Sequence, residues 1–153
     1  MRKQLIAMAT AGVLCWAAAA FAESFTGLAS VKNDGSLVVD GRPVRLYGIY
    51  IPPTEESCRT FERPPKCAPR AVLALDFKIT GFVRCEPKAR NDDGTLSALC
   101  WSEGTDLGAY LLERGWALAL PDAPFDYVAL ERIARSRGLG VWGLSVEPRR
   151  PLK

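Results

Sequence analysis

The sequence predicts an α+β fold, a five-stranded Greek-key β-barrel of OB type carrying about three helices. Three observations predict it. Short β-rich runs follow one another across aspartate–glycine dipeptides in the first half of the chain. A helical pattern then separates the third run from two more. Two further helical patterns close the sequence.

The first strand is FTGLASV, Phe25 to Val31, followed by the turn KNDGS, the strand LVV, the turn DGRP and the strand VRLYGIYI. Asp34-Gly35 and Asp40-Gly41 are hairpin dipeptides, because these residues tolerate the backbone angles that tight turns demand. The loop PPTEESCRTFERPPKCAP is dense in proline and charge. Pro69 then opens a helix with Val72, Leu75 and Ile79 on one face and Gly81 as its stop. FVRCEP and LSALCW read as strands joined by the polar loop KARNDDGT. Thr105 stands where it can cap DLGAYLLERG, whose Leu107, Tyr110 and Leu111 share a face, with Gly115 ending the helix. Asp126 stands where it can cap YVALERIARSRG, with Tyr127, Leu130, Ile133 and Ala134 inward and Gly138 closing. Trp116 and Trp142 follow helix ends, where large rings are expected to cover the core.

The N-terminus reads as a signal peptide over residues 1–22. Arg2 and Lys3 form a basic head, Leu5 to Ala19 run apolar, and Ala20-Phe21-Ala22 fits a small-x-small cleavage site. Cys15 is not a lipidation site, since Leu14 before it is too large. An uncleaved anchor is the alternative, the apolar run being near the lower length for a span. The expected organisation is one domain over residues 23–146 and a loose C-terminal tail over 147–153, basic through Arg149, Arg150 and Lys153. These features predict an exported monomer, periplasmic or extracellular, with no membrane span after cleavage.

Charge excludes some classes of function. Lysine and arginine number 20 against 17 aspartates and glutamates, and loss of Arg2 and Lys3 lowers the net charge from +3 to about +1. That is not the balance of a dedicated nucleic-acid binder. The absence of histidine removes the commonest general base and the commonest zinc ligand.

Cys58, Cys67, Cys85 and Cys100 remain after cleavage, an even set that suits disulfides in an exported chain. Spacing alone leaves all three pairings open. Cys58 and Cys67 bracket the proline-rich loop, whereas Cys85 and Cys100 end adjacent strands, so Cys58–Cys67 and Cys85–Cys100 are the expected bonds. A zinc site is disfavoured, with neither a CxxC pair nor a histidine to build it.

The order VRLYGI, cysteine-bearing loop, helix, VRCEP, DDGTLSALC, TDLGAYLLERGWALA and LERIARSRGLGVWG resembles the staphylococcal nuclease-like (thermonuclease) family, in its secreted bacterial form. The resemblance runs from about Gly27 to Gly143, and DLGAYLLERGWA and ARSRGLGVW are its most specific parts. It implies an OB-type barrel with a flank cleft. There, two aspartates hold calcium, a glutamate activates water and two arginines stabilise the charged transition state of phosphodiester hydrolysis.

Position by position, this sequence departs from that machinery. The family's Gly-Asp-Thr turn corresponds to DGS, so the first metal aspartate falls on Gly35. The family's RLxGIDxPE corresponds to RLYGIYIPP, so Arg45 keeps the first arginine, Tyr50 replaces the second aspartate and Pro53 replaces the glutamate. The second arginine falls on Thr95, and the nucleotide-holding basic and aromatic positions become Asp92 and Asp93, which would repel a phosphate. An aromatic often found after the GWA run gives way to Leu120-Pro121. A lost general base alone costs about 10²–10⁴-fold, and a lost charge-stabilising donor roughly 3–4 kcal/mol.

The expectation is therefore an exported binding or scaffold module with no nuclease activity, no cofactor and a lost calcium site. OB-type barrels bind oligonucleotides and oligosaccharides on one face, so a ligand of either kind, or an envelope protein, is the expected partner. Tyr47, Tyr50, Trp101 and Arg45 are the residues that could supply stacking and a cation. Tyr47 and Tyr50 have opposite parity along a regular strand, which sends them to opposite faces. Two alternatives stand beside this reading: a residual metal-dependent nuclease using Asp34, Glu55 or Glu56, and a structural role in envelope or exopolysaccharide assembly.

Overall fold

The computed structural model describes residues 23–52 and 70–143. The expected signal peptide, the Cys58–Cys67 bond, Pro53, Glu55, Glu56, Pro69 and the C-terminal tail lie outside the described residues.

Chain order is β1 (Phe25–Val31), β2 (Leu37–Val39), β3 (Arg42–Leu46), β4 (Ile49–Tyr50), α1 (Arg70–Lys78), β5 (Phe82–Arg90), β6 (Leu96–Ser102), β7 (Thr105–Asp106), α2 (Leu107–Glu113), β8 (Leu118–Ala119) and α3 (Phe125–Ser136), then a 3₁₀ turn at Gly140–Gly143. Strands β3, β2, β1, β5 and β6 neighbour one another in that order, antiparallel throughout. Parallel pairing of β3 with β6, Val44 opposite Leu96 and Leu46 opposite Ala98, closes the sheet on itself. The result is a mixed five-stranded barrel with three helices, the α+β OB-type architecture predicted from the sequence.

Alternation puts one face of each strand inside. Leu37, Val39, Val44, Leu46, Val83, Cys85, Ala98 and Cys100 point into the barrel and are buried. Leu107, Leu111 and Leu112 of α2 close over them, with Ala71 and Leu75 of α1 and Tyr127 of α3. Trp116 is half-buried against this core, and Trp142 is half-buried with the Arg135 guanidinium 5.0 Å over its ring. Cys85 and Cys100 are directly opposed on β5 and β6, fully buried and joined by a disulfide.

Several local expectations need correction. VRLYGIYI is not one strand: the chain bends at Gly48, whose φ of 75° favours glycine, and Ile49–Tyr50 leaves the barrel to pair with β8. Part of the expected polar loop, Lys88–Arg90, extends β5. The cap of α2 is Asp106 rather than Thr105, its Oδ1 accepting from the Gly108 and Ala109 amides. Helix α3 is preceded by Pro124 with no side-chain cap, and Asp126 sits inside its first turn. On α3, Ile133 is exposed while Glu131 is buried, because the Glu131 carboxylate accepts the Ala119 amide of β8 at 2.6 Å.

Candidate functional site

Two hairpins of the barrel end in the same five-residue turn. In Lys32–Ser36 the Lys32 amide bonds to the Ser36 carbonyl and the Gly35 amide to the Lys32 carbonyl. Residues 91–95 repeat the pattern, Asn91 to Thr95 and Gly94 to Asn91. The sequence cause is visible in NDGS and DDGT: an aspartate accepts from the amide and hydroxyl two residues later. Asp34 Oδ1 accepts the Ser36 amide at 2.9 Å and hydroxyl at 2.6 Å. Asp93 Oδ1 accepts the Thr95 amide at 3.0 Å and hydroxyl at 2.6 Å, and the Asn91 side-chain amide donates to Thr95 Oγ1 at 2.7 Å.

Arg45 relates the two turns. It is an outward residue of β3, between the inward Val44 and Leu46. Its Nη2 donates to Asp93 Oδ2 at 2.8 Å, across the β3–β6 junction that closes the barrel. The hydrogen bonds from Ser36 hold the Asp34 carboxyl below the usual carboxylate range, with a smaller contribution from the Arg45 charge. Asp93 is lowered for the same reason, first by the Thr95 hydrogen bonds and then by Arg45.

Arg45 and residues Asp34, Gly35 and Ser36 of the first turn line a cavity of about 330 Å³, together with Leu46 at the end of β3, Ile49 and Tyr50 of β4, and Ile51 after it. The tertiary structure thus gathers Gly35, Arg45 and Tyr50, three of the positions singled out in the sequence, around one space. Thr95 does not line it but acts through Asp93, which it holds toward Arg45. Asp92 is exposed.

The expected aromatic set is divided. Tyr50 lines the cavity, whereas the Tyr47 hydroxyl donates to the Asp122 carbonyl at 3.2 Å. Trp101 carries the Arg84 guanidinium 4.5 Å over its ring, and Arg84 is bound in turn to Glu86 at 2.6 Å. The two tyrosines thus have different surroundings on either side of the bend at Gly48. Sequence reasoning missed the partnership of Asp93 with Arg45. Its available signal was the repeated Asp-Gly-Ser/Thr turn, which brings a fixed carboxylate to the end of each hairpin.

Among the described residues, those at the corresponding positions do not fit the calcium ion that the resemblance implies. Gly35 and Tyr50 bring no carboxylate, which leaves Asp34, its Oδ1 held by Ser36, as the single carboxylate among the described lining residues. A side chain at Gly35 would collide with Ile51 Cδ1. Among the described residues no three histidine, cysteine, aspartate or glutamate side chains gather as a metal site. Also among these residues, no helix is long and apolar enough to cross a membrane.

No family model and no curated protein matches this chain. What the geometry defines is a barrel flank with one guanidinium, two carboxylates fixed in matching turns, and an aliphatic and phenolic lining. This arrangement can donate and accept hydrogen bonds and bury a small apolar face.

Proposed function

We propose that the chain is a member of the staphylococcal nuclease-like family that has lost phosphodiester cleavage and serves as an exported binding module, using the flank cavity beside Arg45. The observation that carries this reading is the Arg45–Asp93 ion pair at 2.8 Å. The guanidinium that would stabilise a developing phosphorane charge is neutralised by a carboxylate of the same chain. Gly35 and Tyr50, lining the cavity with it, support the reading because neither can hold a metal that would replace the lost charge. Export is supported by the buried Cys85–Cys100 disulfide, a bond that persists in oxidising compartments.

The test is an assay of Glu23 to Lys153, purified oxidised, on single-stranded DNA and RNA with calcium, manganese or chelator, beside Arg45→Ala. No cleavage under any of these conditions is expected. Metal-dependent cleavage that falls in Arg45→Ala would overturn the reading and direct attention to Asp34, Glu55 and Glu56.

A further inference from the structure

We propose that Asp93 is a built-in counter-anion that turns the cavity against phosphates and toward uncharged, polyhydroxylated ligands such as a saccharide unit. The inference rests on the binding-module reading and names the ligand class of that same cavity.

The geometry carries it in three steps. Arg45 is the cation lining the cavity, and its Nη2 is spent on Asp93 Oδ2. Asp93 needs no ordering to make this contact, because Thr95 and the turn around it already fix its other oxygen. Asp34, held the same way in the twin turn, is the carboxylate that lines the cavity itself, whereas Asp93 acts on it from outside the lining, through Arg45. An incoming phosphate therefore meets the Asp34 carboxylate and a guanidinium whose charge is already offset by Asp93, a balance that disfavours it.

The Asp34 carboxylate in the lining suits a neutral polyol. Ionised carboxylates only accept hydrogen bonds, and hydroxyls are donors for them. Hydrogen bonds from Ser36 and Thr95 keep both aspartates ionised well into acid. Ile51 and Tyr50, both partly exposed, supply the apolar and phenolic surface on which the C–H face of a sugar ring can be buried. A cavity of about 330 Å³ lies at the small end of small-molecule sites, which suits one or two sugar rings rather than a long polymer segment.

The experiment follows amide signals of isotope-labelled Glu23 to Lys153 during titration with thymidine 3′,5′-bisphosphate, maltotetraose and the tetramer of N-acetylglucosamine. Asp93→Asn removes the charge but keeps an acceptor for Thr95, and Asp93→Ser serves as a second variant that suits the turn. Affinity for the bisphosphate is expected to rise about five-fold or more in both variants, with the gain shrinking in high salt. The gain should vanish in Arg45→Ala combined with Asp93→Asn, and should not appear in Glu113→Gln, which makes the same change of net charge on α2. In the wild-type chain at least one of the two saccharides should shift the Gly35 and Tyr50 signals. The proposal is overturned if the wild type binds the bisphosphate as tightly as the Asp93 variants. It is equally overturned if both saccharides leave the cavity signals unmoved. Metal-dependent cleavage of single-stranded DNA or RNA would instead sink the binding-module reading, since the affinity ratio reports on Asp93 alone.

Discussion

Ile51 occupies the space that any side chain at Gly35 would need. Gly35 also has a φ of 80°, a conformation costly for other residues. Reinstating an aspartate there is therefore not a matter of one carboxylate. Gly35→Asp is expected to destabilise the barrel by about 1–3 kcal/mol in urea denaturation, with no stabilisation by millimolar calcium. Adding Ile51→Ala should relieve the collision and leave the backbone cost. A Gly35→Asp protein as stable as wild type would refute this account of the turn.

The Cys85–Cys100 bond ties two neighbouring strands of the barrel, with both sulfurs in the core. Replacing both cysteines by alanine should lower stability by about 2–5 kcal/mol, part of it from restored freedom of the unfolded chain. In the folded protein the bond should resist mild reductant until denaturant is added. Thiol labelling with and without urea measures this directly.

Tyr127 and Asp106 join α3 to the start of α2, the phenol donating to Asp106 at 2.7 Å while the same carboxylate caps the helix. Tyr127→Phe should cost about 1.5–3 kcal/mol, the worth of a hydrogen bond to a charged group. Asp106→Ala should cost more, because the cap is lost and the phenol is left unpaired. Burial, and then the Asp106 carboxylate, push the Tyr127 phenol far above the ordinary tyrosine value of 10.0. The unfolded chain ionises there first, so this contribution to stability is whole below pH 10.0 and is lost as the pH rises beyond it. Stability measured across that range should fall less steeply in Tyr127→Phe than in wild type.

Glu131 is linked to the cavity through β8 and β4. It accepts the Ala119 amide on β8, and Ala119 faces Ile49 on β4, the strand that brings Ile49 and Tyr50 to the cavity. Glu131→Ala should cost about 1–3 kcal/mol by leaving a buried amide without its acceptor. It should also speed hydrogen exchange at Ala119. Glu131→Gln, which keeps a carbonyl oxygen, should be milder on both measures.

Much of the barrel was legible in the chain because local chemistry and burial agree there. FTGLASV is β1 over the expected residues, and Val72 and Leu75 lie buried on α1 as their spacing requires. Cys85 and Cys100 pair as two strands joined by a polar turn would allow. Caps were less legible: Thr105 and Asp106 are both acceptable capping residues, and the choice falls to whichever backbone angle the preceding strand delivers. Glu131 was read past because a carboxylate on an apolar stripe declares itself only when its buried donor, the Ala119 amide, is known.

The sequence by itself determined most of the barrel strands, the three helices, and the matching Asp-Gly-Ser and Asp-Gly-Thr turns. These are matters of residue type and short-range spacing. Only the tertiary structure decided that Arg45 and Asp93 meet, that Tyr50 rather than Tyr47 lines the cavity, and that Ile51 fills the space beside Gly35. Each depends on the parallel closure of β3 against β6 or on the bend at Gly48. Such long-range contacts are set by the packing of the whole core, which no local stretch of sequence encodes.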